Sequence, residues 1–152
     1  AQPYTSNLSK RMIKSPKLFF LDTGLACRLQ GWGTSGPILT SPQVGALFET
    51  MVYSEIYKFI INHQKSWKIY HWRTRDNEEI DFLIQLENSR FLAIEAKVSP
   101  QKFLSKQKIP HFTKIIPEQG VIGRYVCHME GDKIWDNQIP ISLLTGVLGA
   151  IK

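Results

Sequence analysis

Cysteine is scarce in this 152-residue chain, and its two copies, Cys27 and Cys127, lie far apart. A disulfide framework needs several cysteines, and a structural zinc site needs closely spaced ligands. Neither pattern is present, and His63, His71, His111 and His128 show no zinc spacing with the cysteines. Both thiols are therefore expected to be free and buried, in a cytoplasmic protein. No apolar run exceeds a few residues, so no segment is expected to span a membrane. The opening Ala-Gln-Pro-Tyr lacks the charged and apolar regions of a secretory signal. The phosphate-loop sequence G-x-x-x-x-G-K-[ST] is missing as well, which excludes a nucleotide-triphosphate site of that kind. Neither an internal repeat nor a low-complexity segment is visible.

What is present suits one globular domain. Hydrophobic residues make up 43% of the chain, enough for a core at this length. The net charge of +6 favours a polyanionic partner. Its distribution says more than its sum. Lys10, Arg11, Lys14 and Lys17 cluster near the start, and Lys102, Lys106, Lys108 and Lys114 form a second group.

Two strand-like runs carry acids that strands do not normally need: Glu79-Ile80-Asp81-Phe82-Leu83-Ile84 and Phe91-Leu92-Ala93-Ile94-Glu95-Ala96-Lys97. Side chains alternate faces along a strand. Alternation puts Glu79, Asp81, Leu83 and Gln85 on one face of the first run. It puts Phe91, Ala93, Glu95 and Lys97 on one face of the second. The polar Glu87-Asn88-Ser89-Arg90 between them reads as a hairpin turn. If Leu86 pairs with Arg90, Asp81 falls opposite Glu95. A register shifted by two in the index sum sets Asp81 opposite Lys97 instead.

Two carboxylates side by side repel each other across a sheet. A divalent cation removes that penalty, and oxygen donors suit Mg²⁺ or Mn²⁺. A metal-bound water is a better nucleophile, and a lysine nearby can orient it or neutralise developing charge. Acid, acid-x-lysine is thus a minimal set for cleaving a phosphodiester. A surface ion pair of Lys97 with an acid is the plainer reading of the same triplet.

Upstream, Val44, Phe48, Met51, Val52, Phe59 and Ile60 recur at helical spacing, and Ser41-Pro42 offers a start signal. A long helix is expected over about 43–63. Glu49 lies at the border of its apolar stripe, where a carboxylate can reach a sheet edge. Glu55 lies inside the stripe, so a structural ion pair with an arginine such as Arg73 is expected. Further elements are a short strand over Lys17 to Leu21, a small helix near Gly24 to Leu29 and a loop over 31–37. A strand over Trp67 to Trp72, a basic helix over about 100–109 and a strand over Val121 to Met129 follow. Ile134-Trp135 suggests another short strand, and Ile141 to Ala150 a last helix. Residues 1–14 read as a linker or the end of another domain, and 15–152 as a single domain with its core at about 43–130.

Asp81 within Glu79-Ile80-Asp81-Phe82, together with Glu95-Ala96-Lys97, resembles the PD-(D/E)xK, or restriction-endonuclease-like, nuclease superfamily. The proline that often precedes the central aspartate is replaced by Ile80. The run Ser15-Pro16-Lys17-Leu18-Phe19-Phe20-Leu21-Asp22-Thr23-Gly24-Leu25 narrows the resemblance. With Phe48-Glu49 and Trp72-Arg73, it is similar to a C-terminal nuclease-like domain of unknown function carried by prokaryotic AAA-type ATPases. The resemblance covers about residues 10–110. It implies an α/β/α core with a central mixed sheet flanked by helices. Catalytic residues would be Glu49, Asp81, Glu95 and Lys97, with Asp81, Glu95 and Glu49 as ligands of Mg²⁺ or Mn²⁺. DNA is the implied substrate, and an N-terminal ATPase domain the implied partner in a longer protein. Many nucleases of this fold cut as dimers, so a homodimer is a further expectation. A catalytically inactive nucleic-acid- or protein-binding module of the same fold is the alternative. Gln107 is a weaker candidate for assisting at the site.

Overall fold

A computed structural model describes residues 1–3, 16–73, 79–100 and 120–151. Its elements, in chain order, are β1 (Gln2–Pro3), α1 (Thr23–Leu29), α2 (Ser35–Leu39), α3 (Val44–Asn62), β2 (Lys68–Arg73) and β3 (Glu79–Gln85). They continue with β4 (Phe91–Ala96), β5 (Val121–His128), β6 (Gln138–Pro140) and α4 (Leu144–Gly149). The strands form one six-stranded sheet in the order β1-β2-β3-β4-β5-β6. Pairings β1–β2 and β5–β6 are parallel, and β2–β3 and β3–β4 antiparallel. The fold is therefore mixed α/β with a mixed sheet, as expected. Among the described residues, no helix is long and apolar enough to cross a membrane.

The chain divides into two compact units. The first comprises Ala1–Leu18, Ser66–Glu95 and Gln101–Tyr125. Its apolar cluster is Trp72, Ile80, Leu83, Phe91 and Ala93, with Tyr70 and Val121 packed against it. Aromatic and branched side chains suit a pleated surface of this kind. Gly123 on β5 answers to close packing. A Cβ there would meet the Tyr125 ring at 2.7 Å and Leu92 Cδ1 at 2.8 Å.

The second unit comprises Phe19–Lys65, Ala96–Pro100 and Val126–Lys152. Its axis is α3, against which α1 and α4 pack. Val52 and Ile56 on α3 and Leu144 and Leu148 on α4 are fully buried. The segment before α1 is tied to α3 twice. Phe19 stacks on Tyr53 at 4.4 Å, and the Ser54 hydroxyl donates to the Leu21 carbonyl at 2.6 Å. Helix α1 starts at Asp22, whose carboxylate accepts from the Leu25 amide at 2.9 Å. Helix α3 ends in a left-handed residue, Gln64, at φ +50°. The Lys65 amide donates to Ile60 and the Gln64 amide to Ile61, the paired bonds that close a helix C-terminus.

Several local expectations need correction. Lys17 to Leu21 forms no strand. The strand contributed by the start of the chain is β1, which pairs Gln2 with Tyr70 and Pro3 with His71. The loop expected over 31–37 gives way to α2 at Ser35. Ser41 does not cap α3: its hydroxyl donates to Ile38 O within the preceding turn, and Gln43 stands at the helix start. Trp135 makes an isolated bridge with Gln138, and the strand itself is Gln138–Pro140. Cys127 is buried as expected, whereas Cys27 is only half-buried. The expected basic helix, with Lys102, Lys106, Gln107 and Lys108, lies outside the described residues, as do Lys10, Arg11, Lys14 and Lys114.

Candidate functional site

The hairpin register decides where the acids go. Phe82 pairs with Ile94, Leu83 with Ala93, Ile84 with Leu92 and Gln85 with Phe91. At the turn the Leu86 amide donates to Arg90 O at 2.8 Å, and Ser89 takes a left-handed φ of +58°. This is the first of the two registers open from sequence. The alternative, with Asp81 opposite Lys97, is excluded. The pairing runs as far as Phe82 and Ile94; carried one step on, the same register would bring the backbone positions of Asp81 and Glu95 opposite each other.

On its other edge β3 is irregular. Tyr70 pairs with Leu83 and Trp72 with Ile80, so His71 alone faces two residues, Asp81 and Phe82. Such a bulge re-aims side chains, and bulges are over-represented beside active sites. It also breaks the alternation expected from sequence. Ile80 and Leu83, three apart, pack in one cluster. Leu83 therefore does not share a polar face with Glu79 and Asp81. Asp81 keeps company with Glu79 through a residue that sequence reasoning had left in a general basic cluster. The Lys17 ammonium donates to Glu79 Oε1 at 2.5 Å and lies 4.0 Å from Asp81 Oδ1. Arg73 Nε stands 3.8 Å from Glu79 Oε2.

These charges shape the local titration. Burial pushes the Glu79 carboxyl up, but the Lys17 hydrogen bond and charge, joined by Arg73 and His71, outweigh it. The net effect holds Glu79 below the ordinary carboxylate range. Burial lowers the neighbouring His71 imidazole, and the Lys17 charge lowers it further. His71 is thereby held toward its neutral form.

Glu95 is half-buried near the end of β4. Glu49 and Lys97 belong to the second unit. Glu49 is half-buried on α3, one residue after the buried Phe48. Lys97 is exposed just past β4, and its backbone amide donates to Cys127 O at 2.9 Å. The ion pair expected between Glu55 and Arg73 is replaced by local partners: Glu55 meets Lys58 at 3.3 Å, and Arg73 meets Glu79. The side chains of Glu55 and Lys58 are 35% and 53% exposed, so this pair contributes little.

Among the described residues, no three His, Cys, Asp or Glu side chains gather as a ready-made metal cage. Mg²⁺ does not require one. It retains several waters and is commonly held by one or two carboxylates. Asp81 and Glu95 each offer the hard oxygen donors that such an ion takes.

The family described as a domain of unknown function, DUF4143, matches residues 44–144. A second domain of unknown function, DUF8612, matches residues 1–36. An uncharacterized protein of Mycobacterium bovis and another of Mycobacterium tuberculosis are each 31% identical over 84 residues. Those matches cover 55% of this chain and 18% of each relative, so the chain spans about a fifth of the curated proteins it matches. No solved structure matches.

Proposed function

The chain belongs to the DUF4143 family, whose description assigns no activity, and from its candidate site we propose a Mg²⁺- or Mn²⁺-dependent DNA endonuclease-like domain. In this reading it has the restriction-endonuclease-like fold and works in the cytoplasm as the C-terminal part of a larger ATPase. The observation that supports it is the hairpin register, in which Asp81 and Glu95 lie one step past the Phe82–Ile94 pair and Lys97 two residues further on, although the bulge takes Asp81 off the face that Glu95 follows by alternation. Asp81 and Glu95 would hold the ion, together with the Ala96 carbonyl. When bound, the ion supplies a more acidic water and neutralises charge on the phosphoryl oxygens. The Lys97 ammonium would orient that water toward phosphorus, and Glu49 would complete or orient the ligand set. The net charge of +6 supports a polyanionic substrate.

The test is cleavage of single- and double-stranded DNA with Mn²⁺ or Mg²⁺. Asp81→Ala and Lys97→Ala are each expected to lower the rate by about 10²–10³, the usual loss for one electrostatic contributor. Circular dichroism should show both variants folded. A wild type that cuts neither DNA, and binds neither metal by calorimetry, sinks the reading.

A binding module of the same fold, without turnover, is favoured by one observation: an internal ammonium already lies beside Asp81. DNA binding that weakens with salt but survives Asp81→Ala, with no cleavage, would select that reading.

A further inference from the structure

We propose that Lys17 is a built-in counter-cation of the site, which steadies Glu79 and Asp81 and opposes entry of a divalent cation at Asp81. The role rests on reading Asp81 as a metal ligand. Lys17 comes from a segment without regular structure, 62 residues before Glu79. Its stem is largely covered, with the side chain 28% exposed, and its ammonium bonds Glu79 and faces Asp81. Asp81 is more covered still, at 14%.

The charges explain the function. Lys17 and Arg73 supply two positive charges, and Glu79 and Asp81 supply two negative ones. Among the described residues these four charges balance one another before any ion arrives. A divalent cation at Asp81 would meet the Lys17 ammonium at a few ångströms, in a partly covered site where screening is weak. Either Lys17 withdraws toward Glu79, its nearer partner, or the ion binds weakly. Glu79 thus sets where Lys17 rests, and Lys17 sets how readily Asp81 accepts an ion. Lys17 is in this sense a positioning residue. It keeps the half-buried acids from repelling each other in the ion-free protein, at the cost of metal affinity.

Manganese titration of the full chain, followed by calorimetry and by the electron spin resonance of free Mn²⁺, tests the role. Lys17→Met should bind Mn²⁺ about tenfold tighter than wild type, a difference of about 1.4 kcal/mol. Lys17→Gln retains a donor for Glu79 without the charge and should shift binding the same way if the methionine variant folds poorly. Glu79→Gln should shift it the opposite way, since Lys17 then has Asp81 as its nearest acid. A purely structural lysine would weaken metal binding when replaced. If wild type binds Mn²⁺ through Asp81 and both Lys17 variants bind no tighter, the inference fails and the nuclease reading stands. If neither wild type nor any Lys17 variant binds Mn²⁺, both fail together.

Discussion

Strand β3 and helix α3 are deeply buried segments of their respective units, and they handle charge in opposite ways. On β3, Ile80, Phe82, Leu83 and Ile84 are at most 1% exposed, yet Glu79 and Asp81 stand directly beside them. Both acids face Lys17, from distant chain, and Glu79 also meets Arg73 on the neighbouring strand, because a covered carboxylate needs a nearby countercharge. On α3, Val52 and Ile56 are equally buried, but Glu55 sits at the rim and meets Lys58 less than one turn away. A pair at that spacing on an exposed surface contributes a few tenths of a kcal/mol. Charge beside a core thus demands tertiary partners, whereas charge at a helix rim settles locally. The first arrangement is the one expected of a site, and the second of a scaffold.

The largest effect should come from the scaffold. Ile56→Ala removes a fully buried side chain from α3 and should cost about 2–5 kcal/mol in denaturant unfolding. A cost below that of neutralising Glu79 would break the contrast between the two elements. Ser54→Ala removes the bond to Leu21 O and should cost about 1 kcal/mol by the same measurement.

The smallest effect at neutral pH belongs to Glu79→Gln, about 1 kcal/mol or less for a partly exposed pair. Its signature is in the pH dependence. The folded pKa of Glu79 lies below its ordinary 4.5, so the folded state binds fewer protons there than the unfolded state. The stabilisation is complete above that value and is lost as pH falls through the folded pKa. Acid titration of unfolding free energy should therefore slope less steeply below about pH 4.5 in Glu79→Gln than in wild type. Identical acid limbs would show that the Lys17 contact contributes no linkage.

Much of this molecule was legible along the chain. The hairpin emerged because its turn is short and its apolar residues alternate, and the Leu86–Arg90 pairing selects the register that the structure adopts. Helix α3 emerged from its apolar periodicity, with bounds of 44–62 against an expected 43–63. The bulge at Asp81 and Phe82 did not, because it depends on how β2 lies against β3, and β2 carries no local mark of it. Lys17 was legible only as one basic residue among several. Nothing in its neighbourhood indicates a carboxylate 62 residues away, and its apolar flanks suggested a strand.

Local periodicity and turn chemistry were enough to establish β2 to β5, the long helix and the acids they carry, because those signals act over a few residues. Which side of β3 Asp81 keeps, and which cation stands beside it, depended on the folded chain. A bulge and a long-range ion pair arise from contacts between segments that no short window contains.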